Sequence, residues 1–200
     1  MTENVPDLMP EILTQPNVPK PMHGLNPRTL LGQEWWDRTR FAAQKRTGYR
    51  CAACGVHKTA AKGHQWLEGH EAWNIDYKTG RCEVTRIEPL CHYCHNFIHS
   101  GRLSMIMGRD KTESEVVEIL EHGFAILAEH KLKCFGGTLA LAYSLKCQTY
   151  RVREYPSPSR IAAWGDFILV LDGVEYQSKF ATYAQWEGFY HGWGSGKAKA

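Results

Sequence analysis

Residues 89–99 read PLCHYCHNFIH, two cysteines and three histidines within eleven positions. A second C-x2-C pair, CAAC at 51–54, precedes it. Each such turn aims two sulfurs at one point, and zinc favours four thiolate or imidazole ligands at tetrahedral corners. Cys51, Cys54, Cys91 and Cys94 therefore predict a closed structural zinc site with two knuckles. The chain between the knuckles has room for a β-hairpin. HQWLEGHEAWNIDY (64–77) alternates as a strand, KTG turns, and RCEVTRIEPL (81–90) returns into the second knuckle. HYCHNFIHSGRL (92–103) then begins a helix.

The histidines predict a second metal position. His95 and His99 stand four apart, on one helix face. His70, on the preceding strand, reaches the same point if the hairpin folds back on the helix. Three imidazoles with an open fourth position can activate water or grip a phosphate oxygen. Glu71, alternating to the other side of the strand, is the candidate general base. His92 reads as exposed, and His57 and His64 as polar loop residues.

This layout, over about Tyr49 to Leu103, resembles the HNH or ββα-metal endonuclease family in its zinc-stapled form. The motifs carrying the resemblance are CAAC, LEGHEAW, RIEPLCHYCH and FIH. The lead-in NPRTLLGQEWWDRTRFAAQKRTGYRCAACG looks like that of bacterial and phage HNH-type proteins. The resemblance implies that His70, His95 and His99 ligate a divalent ion (Mg2+, Mn2+ or Zn2+), with Glu71 as base. The register can also slide, making His70 the base with Glu68 or Glu71 as ligand. The family base is nearly always histidine, whereas glutamate stands here. The family's middle asparagine falls near Thr85 or Arg86. Arg86, Arg102 and Arg50 are the candidate phosphate contacts.

The implied function is hydrolysis of phosphodiester bonds in nucleic acid, with DNA the expected partner. The alternative is a non-catalytic zinc module that binds nucleic acid or a protein, such as a phage-encoded regulator or inhibitor. The net charge of +3 permits nucleic-acid binding without demanding it. The start of the chain has neither a basic stretch nor an apolar run of the secretory kind. That suits a cytoplasmic setting, where thiols stay reduced. Cys82, Cys134 and Cys147 then read as small apolar residues.

The expected fold class is α+β: a ββα-metal finger stapled by a four-cysteine zinc, flanked by helices and a C-terminal β-hairpin with a short helix. Residues 1–25 form a proline-rich arm and 26–133 the finger domain with its helices. Residues 134–193 form a small α+β region and 194–200 a flexible tail. Within these, 27–47 reads as one helix with Leu31, Trp35, Phe41 and Ala42 on a shared face. Its arginines and lysines suit either a solvated face or a phosphate-contacting surface. Residues 112–132 form an amphipathic helix with a Thr112/Glu115 capping box. Asp172-Gly173 turns the C-terminal hairpin. Trp164, Phe167, Tyr183, Trp186, Phe189, Tyr190 and Trp193 read as core or as a surface for a protein partner.

Overall fold

The computed structural model describes residues 7–194. The predicted tail and the side chain of Trp193 lie outside the described residues. Among the described residues the fold is α+β, with six helices and one four-stranded sheet in the order β1-β2-β3-β4. The strands are β1 (Glu68–Asp76), β2 (Arg81–Leu90), β3 (Ile168–Leu171) and β4 (Val174–Gln177). The helices are α1 (Pro27–Arg46), α2 (His92–Ile98), α3 (Ser100–Ile106), α4 (Glu113–Glu129), α5 (Gly136–Ser144) and α6 (Tyr183–Gly194). No helix among the described residues is long and apolar enough to cross a membrane.

The chain divides into two compact units. The first comprises Met1–Asn17, Asp37–Ala72 and Arg86–Ser157. Its core gathers Leu67, Leu90, Phe97, Leu103, Ile119, Leu120, Phe124 and Leu127. α4 starts at the expected cap: Thr112 accepts from the Glu115 amide, and Glu115 reaches back to the Thr112 amide. α4 packs on α2, where Phe97 meets Phe124 edge to face at 5.3 Å. Gly123 makes this approach possible, because a Cβ there would fall 2.1 Å from the Phe97 ring. The proline-rich arm does not simply run extended. Pro10–Thr14 forms a 3-10 turn that buries Ile12 and Leu13 against α2 and α4. Proline fixes the turn, and the two aliphatic side chains anchor it.

The second unit comprises Val18–Trp36, Trp73–Thr85 and Pro158–Ala200. Here β2 pairs in parallel with β3, Arg81 opposite Ile168, and β3 pairs antiparallel with β4. Gly80 has a φ of +80°, and a Cβ there would lie 2.6 Å from the Asp166 carbonyl, so only glycine allows the two backbones to meet. Asp172 and Gly173 both have positive φ, 50° and 78°, as a two-residue hairpin turn requires. Of the C-terminal aromatics, Phe167 is buried. The Trp186 indole donates to His23 at 3.1 Å, and Tyr183 and Trp186 flank the Lys20 ammonium. Tyr183 and Phe189 remain exposed.

Two helical expectations need correction. α1 is not continuous, because Gly32 adopts φ 87° and ψ 169°. Nor do Phe41 and Ala42 share an inward face: Phe41 is exposed, while Ala43 and Gln44 are buried. The helix leaving the second knuckle is also divided. His99, at φ −86° and ψ 40°, separates α2 from α3.

Candidate metal centre

Both expected ligand groups assemble, and both lie in the first unit. The four sulfurs of Cys51, Cys54, Cys91 and Cys94 lie within 4.8 Å of one another and could hold a metal ion such as zinc. The Cys54 and Cys91 sulfurs are 3.8 Å apart. Four ligands at about 2.3 Å from a tetrahedral zinc stand about 3.8 Å from each other. The two knuckles are tied by the Ala52 amide donating to the Pro89 carbonyl at 2.8 Å. Gly55, at φ 73°, turns the first knuckle. Cys91 caps α2 and accepts from the Cys94 amide. Hydrogen bonds from Cys54, Cys91 and Cys94 hold the Cys51 thiol well below its ordinary range. The sulfurs of Cys51 and Cys54 push the Cys94 thiol up. Four thiols this close cannot all ionise together without a cation among them. The His122 ring, which carries no signal in the sequence pattern, lies 3.4 Å from the Cys94 sulfur. Cys82, Cys134 and Cys147 are free thiols, two of them buried and one half-buried.

The second group follows from two periodicities. Alternation on β1 puts Glu68 and His70 on one face, about 6.6 Å apart. One helical turn of α2 advances about 5.4 Å, so successive strand positions meet successive turns. His92, His95 and His99 occupy those turns. The His70 ring is 5.4 Å from His95 and 5.0 Å from His99, and those two are 4.6 Å apart. One ligand atom from each lies within 4.8 Å of the others. Burial, followed by the charge of His99 and His95, holds His70 well below the usual imidazole range. Burial, then the charges of His95 and Arg102, pushes His99 down to about 4. Both rings are therefore neutral near pH 7, the form that ligates a metal. His70 Nδ1 is buried without a hydrogen-bond partner among the described residues. Its Nε2 contacts the Gln15 amide nitrogen at 3.2 Å, so the arm supplies part of the site wall.

Glu68 is the carboxylate that reaches the histidines. Its Oε2 is 2.7 Å from His95 Nδ1, and its Oε1 is 2.9 Å from both His64 Nε2 and His92 Nδ1. Burial pushes the Glu68 carboxyl up, but hydrogen bonds from His92 and His95 outweigh it and hold the group far below the usual carboxylate range. Glu71 belongs to the opposite face of β1 by alternation. Burial raises its proton affinity, although the nearby charge of His95 opposes this. His92 and His64 are not bland surface residues, since both are turned onto Glu68. The Glu68-x-His70 spacing and the His92–His95–His99 stripe were the available signals.

The arginines divide. Arg102 is exposed beside His99. Arg86 is engaged by the buried Glu88 carboxylate at 2.5 Å and by the Met9 sulfur. Arg46 holds the other Glu88 oxygen at 2.8 Å. Arg50 donates to the Gly55 carbonyl at 3.3 Å. No protein-family model, curated protein or solved structure matches the chain.

Proposed function

We propose that the chain is a metal-dependent phosphodiesterase of the HNH type, hydrolysing nucleic acid, with DNA as its expected substrate. The observation that carries this reading is the convergence of His70, His95 and His99 beside the four-cysteine cluster. In the proposal, zinc at Cys51, Cys54, Cys91 and Cys94 is structural. It locks the hairpin to α2 and so fixes His70 against His95 and His99. The catalytic ion is a divalent one, Mg2+, Mn2+ or Zn2+. When bound by the three imidazoles, it would polarise a phosphate oxygen and stabilise the charge that develops there.

The chain's own residues have separate tasks. His70 and His99 are held neutral, which keeps their lone pairs available. Glu68 accepts from His95 Nδ1 and leaves Nε2 of that ring to ligate. Glu68 is a poor base, since its charge is already committed to the histidines. Glu71 is the better one, because burial raises its proton affinity toward that of a useful acceptor. In the proposal Glu71, near enough for the charge of His95 to act on it, takes the proton of the attacking water, and Arg102 and Arg50 steady neighbouring phosphates.

One observation favours the alternative of a non-catalytic zinc module: Arg86 is engaged with Glu88 and Met9 rather than directed at a ligand. A cleavage assay separates the two. Single- and double-stranded DNA and RNA are incubated with protein supplemented with manganese, magnesium or zinc. The nuclease reading expects cleavage that is lost in His95→Ala and falls by about tenfold or more in Glu71→Gln. Intact substrates in every metal would transfer the chain to the binding-module class.

A further inference from the structure

Glu68 divides the histidines between its two oxygens. Oε2 serves His95. Oε1 faces His64 and His92, and one donor atom from each of His64, Glu68 and His92 lies within 4.8 Å of the others. This trio has no residue in common with His70, His95 and His99.

Each member is held from behind. The His64 ring stacks on Trp66 at 3.6 Å and 2°, and its Nδ1 lies 3.1 Å from the Trp66 carbonyl. A carbonyl only accepts, so Nδ1 carries the hydrogen, and a neutral ring then presents its Nε2 lone pair to Glu68 Oε1. Two acceptors 2.9 Å apart require positive charge between them, either a proton or a metal ion. Gly63 presses on His92: a Cβ there would fall 2.6 Å from Cδ2 of that ring, and the φ of +84° excludes most other residues. The His64 and His92 rings are 4.5 Å apart. The side chains of His64, Glu68 and His92 keep 13%, 26% and 19% of their surface exposed, enough for water to complete a coordination shell.

We propose that His64, Glu68 and His92 form a further cation site, distinct from the one proposed for catalysis, that takes a borderline divalent ion such as zinc. Two imidazoles and one carboxylate with an open side are a donor set that zinc accepts, whereas magnesium and calcium prefer oxygen throughout. Ligands about 2.0–2.1 Å from a tetrahedral ion stand about 3.3 Å apart, so the ion would spread the observed 2.9 Å contacts by about 0.4 Å. The same carboxylate orients His95 through its other oxygen. The two positions are therefore linked through Glu68.

The test compares zinc retained per full-length chain after zinc loading and desalting. Three proteins are measured: wild type, His64→Ala with His92→Ala, and His70→Ala with His99→Ala. The expected result is about one zinc fewer in the His64/His92 variant, with that zinc still present in the His70/His99 variant. Equal zinc in wild type and the His64/His92 variant overturns the proposal. If only the His70/His99 variant loses zinc, this site fails and the proposed catalytic ligands stand. If only the His64/His92 variant loses it, the outcome is reversed. Because a misfolded variant would lose cysteine-bound zinc as well, the wild-type chain is also titrated with zinc and its imidazole nitrogens followed by NMR. His64 Nε2 and His92 Nδ1 should shift together. Signals that stay fixed through excess zinc overturn the proposal independently of any variant.

Discussion

Replacing Gly123 by alanine should destabilise the first unit, although alanine is the better helix former. The gain in helix propensity is about 1 kcal/mol. Against it stands the Phe97 ring, whose Cδ2 would be 2.1 Å from the new methyl. Carbon atoms settle about 3.5–4.0 Å apart, so the ring would have to move by about 1.5 Å. It has nowhere to go: Phe97 is 1% exposed and is held edge-on by Phe124. Overpacking of a filled core costs about 1–3 kcal/mol, and so large a clash belongs at or beyond the upper end. The net loss is about 2 kcal/mol or more, which for a chain of this size lowers Tm by at least about 4–8 °C. Gly188→Ala in α6 is the control, since among the described residues nothing lies within 4 Å of the added methyl. It should gain up to about 1 kcal/mol. Thermal unfolding followed by far-UV circular dichroism measures both. Phe97 sits between His95 and His99 on the chain, so Gly123→Ala should also weaken any metal binding at the proposed His70 site. A Gly123→Ala protein as stable as wild type would refute the reasoning, because it would mean that Phe97 has room to retreat.

Stability should fall in acid for a reason that can be assigned. His99 is pushed from its ordinary 6.5 down to about 4, and His70 is lowered as well. As pH falls from about 6.5 to about 4 the unfolded chain takes up protons that the folded chain refuses. The stabilisation is therefore complete above that window and lost through it. In metal-free protein, His99→Gln should flatten the dependence of the urea midpoint on pH; an unchanged slope would mean that His99 titrates normally. The arginines should separate by assay. Arg86→Ala leaves the buried Glu88 carboxylate to Arg46 and should cost about 1–3 kcal/mol in urea unfolding. Arg102→Ala should leave stability unchanged but weaken DNA retention in a gel and reduce the salt slope by about one. Equal DNA affinity in Arg102→Ala and wild type would remove Arg102 from the proposed interface.

Features written into a few neighbouring residues were legible in the sequence. The extent of β2, the Thr112/Glu115 cap and the Asp172-Gly173 turn each depend on local pattern or local hydrogen bonds. The same holds for the two ligand groups, because strand and helix periods place His70, His95 and His99. The parallel pairing of β2 with β3 was not legible, since two strands so distant in the chain leave no mark on each other's pattern. The buried face of α1 was misread for a different reason. Gly32 breaks the angular progression, so Leu31 and the residues beyond 32 do not share one helical register. Phe41 can then stay outside, beneath the Arg40 guanidinium at 4.1 Å. His64 lies in a loop with no period, so no pattern turns it onto Glu68 four residues on.

The early 3-10 turn also has a consequence in time. A ribosome delivers Ile12 and Leu13 roughly 100 residues before the α4 side chains that bury them, and synthesis runs at about 5–20 residues per second. These two side chains therefore wait about 5–20 s in water or against a chaperone. All four cysteines emerge before α4 does, and so does the last histidine of the His70 trio. In the growing chain, metal capture can precede closure of the core, and the first unit would then condense around ligands already joined.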